Sequence, residues 1–353
     1  MTGSAIVYHL CKDLQYEKIY TLSRKNPVNY NPNVQHATLD LQGSAEELAK
    51  NLKDVPAESS SGSNIISGEC DDAVKLYPSV GNHRCNQKTE AVCSACGLKY
   101  YGVHLGNCKQ LAVKDDPTRE NHSWPPNLYY DQQRILKDAA ARSEWEWIVT
   151  LPEDILGYAR GNFMNEATAL ALPGPELPFP GCKANYFAFN CWTSANLHAK
   201  FCLWASNGAQ HREPYLQRNE WGDTQSFHDL WPQLVARYGC KISNSMFPQG
   251  GTPDTNGVAQ YEAITVRMSN RNPIAAHAQR IGVSVDGSLT LFLQIDPEKW
   301  EKRKDVNEAL GKLHDRYNLD QKSWESATGD FLTFILGKDW SCVSAMSKAR
   351  GLG

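Results

Sequence analysis

Apolar positions recur at helical spacing over residues 4–13 (SAIVYHLCKD), which predicts a short amphipathic helix at the start of the chain. Lys18 to Arg24 then reads as a strand, a Pro/Asn-rich turn follows at 26–33, and Val34 to Leu41 reads as a second strand. Residues 44–53 predict another helix, with Ser44 as its cap and Glu47 three residues on, the spacing of a capping box. The opening order is therefore helix, strand, strand, helix, whereas a βαβ chain places a strand before its first helix. Between 56 and 95 neither period 2 nor period 3.6 is legible, and Ser59 to Ser63 is a polar, turn-prone run. Order resumes at Gly97. The Pro125–Pro126 pair precedes a helix at about 129–142 with Ile135, Leu136, Ala139 and Ala140 on one face. Trp147 to Leu151 is a short buried-type strand halted by Pro152. Residues 173–181 form a Pro/Gly loop, Thr193 to Ala205 reads as a helix, and 206–222 is polar and irregular. Phe227 to Tyr238 is helical in pattern, with Pro232 near its first turn, and helices are expected at 298–318 and 323–336.

Composition adds bounds. The chain has 353 residues, 41% hydrophobic and 21% charged, which suits one large α/β domain or two small ones. A net charge of −3 with no basic block gives no reason to expect a nucleic-acid partner. No apolar run is long enough to span a membrane, and the opening ten residues lack the charge and apolar core of a signal peptide. A cytoplasmic chain is expected, and its 11 irregularly spaced cysteines then read as free thiols.

Three groups of residues could carry chemistry. Thr2–Gly3 opens a helix, and the following strand ends in Arg24–Lys25. Glycine at such a turn lets backbone approach a pyrophosphate, and a basic pair after the next strand suits the 2′-phosphate of NADP. On these residues alone, a disordered start and a solvated basic pair are the simpler explanation of the pattern. The second group is Lys99 with Tyr129: a nearby ammonium favours phenolate and can ready a tyrosine to donate to a developing oxyanion. The usual Tyr/Lys spacing of four on one helix is absent, since Gln133 follows Tyr129 at that distance, so Lys99 has to arrive from another element. Without further context these are a core tyrosine and a surface lysine. The third group is Cys93 and Cys96 at C-x-x-C spacing, with Cys85, Cys108, His83 and His104 nearby; it lacks the second paired knuckle of a zinc site. His198, His211 and His228 read as ordinary, partly exposed histidines.

The run Gly97-Leu98-Lys99-Tyr100-Tyr101-Gly102, followed by Asn127-Leu128-Tyr129-Tyr130-Asp131, resembles the progesterone 5β-reductase/iridoid synthase family of atypical short-chain dehydrogenases, in the manner of its fungal members, many of them near secondary metabolism. The similarity continues through Trp147 to Pro152, Ile155 with Gly157, Met164–Asn165, Phe179 to Lys183, Trp204–Ala205 and Gly222–Asp223. It reaches Met346 to Arg350 and covers about four-fifths of the chain. The resemblance implies an α/β, Rossmann-type, doubly wound parallel sheet with a mostly helical C-terminal substrate region, divided as 1–160 and 161–353. It implies NADPH as cofactor and hydride addition to the β-carbon of a small-molecule enone, an α,β-unsaturated carbonyl. By position, Tyr129 would hydrogen-bond the enolate oxygen and Lys99 would support the tyrosine and the ribose. Gly3 matches the last glycine of the dinucleotide loop, and Arg24 and Lys25 match the pair for the 2′-phosphate. Asp40 and Leu41 match the adenine edge, and Pro152 and Ile155 match the loop beside the nicotinamide. No metal is implied.

The chain also departs from the family. The first strand and first two loop glycines are missing ahead of Gly3. The fourth strand and the next helix are expected at about 56–95, where the sequence is aperiodic, so the first and fourth strands are both expected to be missing or disrupted. Residues 56–95 and 206–221 read as foreign, as a shifted frame or retained intron would be, and a short stretch near 168–173 reads as deleted. Two other readings stay open beside the enone reductase: a non-catalytic remnant of the family, and a zinc-binding module at 83–108.

Overall fold

The computed structural model describes residues 1–23, 31–39, 64–67, 91–103, 111–113, 127–142, 146–159, 176–207, 216–218, 223–242, 262–267, 288–319, 335–338 and 340–345, with single positions at 44, 47, 50, 109, 116, 166, 247 and 332. The first helix, α1 (Thr2–Leu10), precedes β1 (Ile19–Ser23) and β2 (Val34–Thr38), which pair in parallel. At the start of the next predicted helix, the Ser44 amide donates to Glu47 Oε2 at 2.9 Å and the Glu47 amide donates to Ser44 Oγ at 3.3 Å. This is the reciprocal capping box that the sequence spacing implies.

A four-stranded parallel sheet follows in the chain. Its order is β3 (Asn64–Ser67), β4 (Ala91–Ala95), β5 (Glu146–Thr150) and β9 (Leu216–Arg218). Strand alternation divides its two faces. Ala91, Cys93 and Ile148 pack with Ile6 of α1 and with Ala199, Cys202 and Ala205 of α4 (Ala195–Asn207). Val92, Trp147 and Val149 turn the other way, onto Leu136 and Ala139 of α2 (Leu128–Ala140). Both faces are thus covered by helices, which explains why β4 reads AVCSA, with four of its five residues buried, rather than alternating apolar and polar.

Two expectations are corrected here. The fourth strand was expected to be missing or disrupted within 56–95, yet β3 and β4 both lie there and pair in register, Ile65 beside Cys93. Residues 206–221 contribute β9, which pairs with β5 from Ile148 to Thr150. Among the described residues β1–β2 and β3–β4–β5–β9 form separate sheets. In a doubly wound order a first strand would stand between them.

Among the described residues the C-terminal half holds strands as well as helices. A second sheet joins β6 (Asp154–Leu156), β8 (Phe189–Ser194) and β10 (Asp223–Ser226) in the order β10-β8-β6. Short pairs join β7 (Glu176–Leu177) to β11 (Lys241–Ile242), and β12 (Glu262–Arg267) to β13 (Ser288–Leu293). Thr193 therefore ends a strand instead of starting a helix, and Ser194 Oγ accepts from the Leu197 amide at 3.1 Å to open α4. Helix α3 (Lys183–Phe187), α5 (Phe227–Arg237) with Pro232 inside it, α6 (Pro297–Glu301) and α7 (Lys304–Tyr317) complete the described elements. Their core gathers Phe179, Phe227, Trp231 and Trp300, with Phe179 fully buried in the middle. The helix expected at 323–336 lies almost wholly outside the described residues.

Candidate active site

Lys99 does arrive from another element. After β4 the chain makes one 3-10 turn, Leu98–Tyr101, closed by Gly102 at φ 78, a left-handed conformation that glycine adopts without strain. The Lys99 carbonyl is held twice, by the Gly102 amide at 3.0 Å and by Asn127 Nδ2 at 2.8 Å. Asn127 is also the N-cap of α2, its Oδ1 accepting from the Tyr129 amide at 3.1 Å. One side chain therefore positions both elements that carry the candidate pair. Tyr130 Oη donates to the Tyr100 carbonyl at 2.6 Å, Tyr100 Oη donates to Gln133 at 2.7 Å, and the two rings meet edge to face.

The Tyr129 side chain is buried and lies against the backbone of Gly97. A Cβ on Gly97 would stand 3.4 Å from the Tyr129 hydroxyl and 3.5 Å from the Pro152 carbonyl oxygen. That carbonyl accepts from the Leu98 amide at 3.1 Å. Tyr129, Lys99 and Pro152 are thus brought around Gly97, and Ile155 follows on β6, half-buried.

Gly3 lies in the first turn of α1, and among the described residues nothing stands within 4 Å of where its Cβ would be. The face is open, as backbone approach by a phosphate requires. Met1 packs its side chain beside Gly157, whose own Cβ would meet that of Ala195 at 2.5 Å. Arg24, Lys25, Asp40 and Leu41 lie outside the described residues.

His198 corrects the sequence reading. It is fully buried, with Nδ1 2.9 Å from Thr2 Oγ1 and Nε2 3.0 Å from Thr150 Oγ1. It therefore ties the first turn of α1 to the end of β5, two residues before Pro152. His228 is exposed, as expected, and His211 lies outside the described residues. The partners of His198 are 196 and 48 residues away, so no local signal could have marked it. Asn127 was findable, as a cap residue immediately before an apolar helix face.

The zinc reading finds no support in the placed cysteines. Cys93 and Cys96 are buried in opposite packing layers, and burial pushes the Cys96 thiol up to about 12, disfavouring the thiolate a metal needs. Among the described residues no group of His, Cys, Asp or Glu is arranged to hold a metal ion, and the described cysteines are free thiols. Cys85, Cys108, His83 and His104 lie outside the described residues. No described helix is long and apolar enough to cross a membrane.

Comparison with known proteins places this geometry. An uncharacterised Schizosaccharomyces pombe protein is 28% identical over 375 aligned positions, covering all of this chain and 90% of the yeast protein. The (S)-8-oxocitronellyl enol synthase of Catharanthus roseus is 23% identical over 244 positions, 64% of this chain and 61% of the synthase. A Nepeta cataria enzyme of the same name is 27% identical over 164 positions, 42% of this chain and 40% of its own. In fold, a UDP-glucose 4-epimerase matches with a TM-score of 0.51 at 11% identity, over 69% of this chain and 80% of its own. The UDP-Glc/GlcNAc 4-epimerase of Campylobacter jejuni matches at 0.50 and 11%, over 70% and 85%. The profile of the PRISE-like Rossmann-fold domain matches residues 71–275, running through both 71–95 and 206–221, and the chain accordingly belongs to the progesterone 5β-reductase/iridoid synthase-like (PRISE) family.

Proposed function

We propose that the chain is an NADPH-dependent reductase of small α,β-unsaturated carbonyl compounds. The observation that carries this reading is the Tyr129 phenol, buried and laid against the side-chain-free face of Gly97 between the Lys99 turn and the Pro152 carbonyl. A bound nicotinamide would supply hydride. The open face at Gly3 and the helix N-terminus behind it suit the cofactor's phosphates, Pro152 and Ile155 would line its nicotinamide end, and Arg24 and Lys25 would meet the 2′-phosphate.

The chain's own contribution is at the carbonyl. As hydride adds to the β-carbon, the π electrons move onto oxygen, and Tyr129 donates a hydrogen bond to the developing enolate. Lys99, carried on the adjoining turn, would supply the positive charge that favours that donation. A proton from solvent completes the saturated product at the α-carbon. The curated plant relatives support this choice of substrate class over the sugar nucleotides of the epimerases, whose likeness is in fold alone.

Calorimetric titration with NADPH, followed by an enone panel on wild type and Tyr129→Phe, tests the proposal. Micromolar binding, about −8 kcal/mol, and a loss of about 100-fold or more in turnover on Tyr129→Phe are expected. A folded chain that binds no NADPH would overturn the reading in favour of a non-catalytic family member.

A further inference from the structure

Directly after Pro152 the chain buries a group of charges that the reduction does not use. Lys338 Nζ lies 2.6 Å from Asp154 Oδ2 and 3.7 Å from Glu153 Oε1. Glu153 Oε2 accepts from the Cys191 amide at 2.8 Å, on β8. Glu166, fully buried, accepts from Trp192 Nε1 at 3.1 Å and feels the charges of Asp154, Lys338 and Glu153. The Cys342 thiol also reaches Glu153.

The backbone around Lys338 is fixed as firmly. Asn185 Nδ2 donates to the Lys338 carbonyl at 2.6 Å, the Cys342 amide donates to the Phe189 carbonyl at 2.7 Å, and Ser341 Oγ accepts from the Phe189 amide at 3.0 Å. Ser341 and Cys342 therefore sit beside the start of β8, and the Lys338 ammonium points at the segment that begins at Pro152.

We propose that Lys338 is a positioning residue that clamps the Pro152–Leu156 segment onto the C-terminal segment and thereby sets the Pro152 carbonyl opposite the Tyr129 hydroxyl. Its bearing on catalysis rests on the reductase reading; the clamp itself does not. One ammonium faces three carboxylates, so a fully ionised cluster would bury two net negative charges, at a cost that protonation avoids. Accordingly, burial raises Glu153 to about 7 and Glu166 to about 8, while its carboxylate neighbours raise Lys338. The cluster is near neutral when Asp154 pairs with Lys338 and both glutamates carry protons.

The test compares wild type with Lys338→Met, Lys338→Arg, and Lys338→Met combined with Asp154→Asn, which leaves no unpaired charge at the closest contact. Leu336→Ala serves as the packing control in the same segment. Hydrogen-exchange protection of peptides covering 151–157 is read at about pH 5 and pH 8, corrected for intrinsic rates. Lys338→Met is expected to lose about 10-fold or more protection there at pH 8 and less at pH 5, where Glu153 and Glu166 carry protons and need no cation. Lys338→Arg should restore most of it, and the double variant should fold at both pH values with 151–157 still loosened. Equal, pH-independent loosening in Lys338→Met and Leu336→Ala would overturn the clamp, as would unchanged protection in the double variant. On an active enzyme, the double variant should lower kcat more than it raises KM for NADPH. A wild type without NADPH turnover would sink the reductase reading alone, because exchange still decides the clamp.

Discussion

Replacing His198 with leucine offers a direct measure of how the opening helix is tied to the sheet. The imidazole is fully buried between Thr2 Oγ1 at 2.9 Å and Thr150 Oγ1 at 3.0 Å, and Cys202 lies within hydrogen-bonding reach of the ring. With two hydroxyl partners, one ring nitrogen donates and the other accepts, so the bridge satisfies three polar side chains at once. Leucine is close in volume and leaves little cavity, but it orphans both hydroxyls. Each buried, unpaired hydroxyl costs about 1–3 kcal/mol, so a total near 3 kcal/mol is expected after partial relaxation. That is a large share of the roughly 5–15 kcal/mol that holds a domain folded. Urea unfolding of His198→Leu should show a lower midpoint with an unchanged slope. Adding Thr2→Val and Thr150→Val removes the orphans and should recover at least half of the loss. A single variant costing under about 1 kcal/mol, or a triple variant no better than the single, would refute the bridge as the tie between α1 and β5.

Gly97→Ala separates scaffold from chemistry. Gly97 has extended backbone, φ −168, which any residue adopts, and its added Cβ would make ordinary contacts at 3.4 and 3.5 Å. Stability should stay within about 0.5 kcal/mol while turnover with an enone falls about 10-fold or more, because the methyl covers the Tyr129 hydroxyl; unaltered kinetics would remove Gly97 from the site. Glu166→Gln tests the buried proton. The folded pKa of Glu166 is raised from 4.5 to about 8, chiefly by burial and then by the Asp154 charge, so the native state holds a proton that the unfolded chain has released. Stability should therefore fall as pH rises from the unfolded value through about 8. Removing that titration should flatten the slope by somewhat more than about 1 kcal/mol per pH unit, about 3 kcal/mol between roughly pH 5.5 and 7.5, as read from denaturant midpoints across that range.

Local rules made much of this molecule legible and long-range ones did not. The Ser44/Glu47 box and the helix at 128–140 are recognisable because their signals lie within a turn or two. With no Tyr-x-x-x-Lys spacing the sequence put Lys99 on a separate element from Tyr129, and it lies on a turn that Asn127 ties to the cap of α2. Strand β3 escaped notice because four residues, Asn64 to Ser67, are too few to show a period. Cys93 and Cys96 looked like half a metal knuckle, yet Cys93 on β4 and Cys96 just past its end pack into different core layers. The charges at 153, 154, 166 and 338, like the threonines around His198, meet only through tertiary packing.

The anchoring of the site is largely separate from its chemistry. Tyr129 and Lys99 are placed by the Asn127 cap, by the two donors on the Lys99 carbonyl, by the Leu98 amide on the Pro152 carbonyl and by the left-handed Gly102. These are bonds to backbone, indifferent to the side chains at positions 99 and 129. Removing the phenol oxygen alone should therefore leave the cap, the turn and the packing of α2 in place, so that loss of turnover reports on proton and charge at the carbonyl. The opposite holds for His198 and Lys338, whose side chains are themselves the joints. Changing them should move stability and local protection first, and catalysis only through the positions they hold. The two kinds of variant should thus divide between turnover and protection, and a Tyr129→Phe protein that loosened 151–157 as much as a Lys338 variant would show that scaffold and chemistry are not separable here.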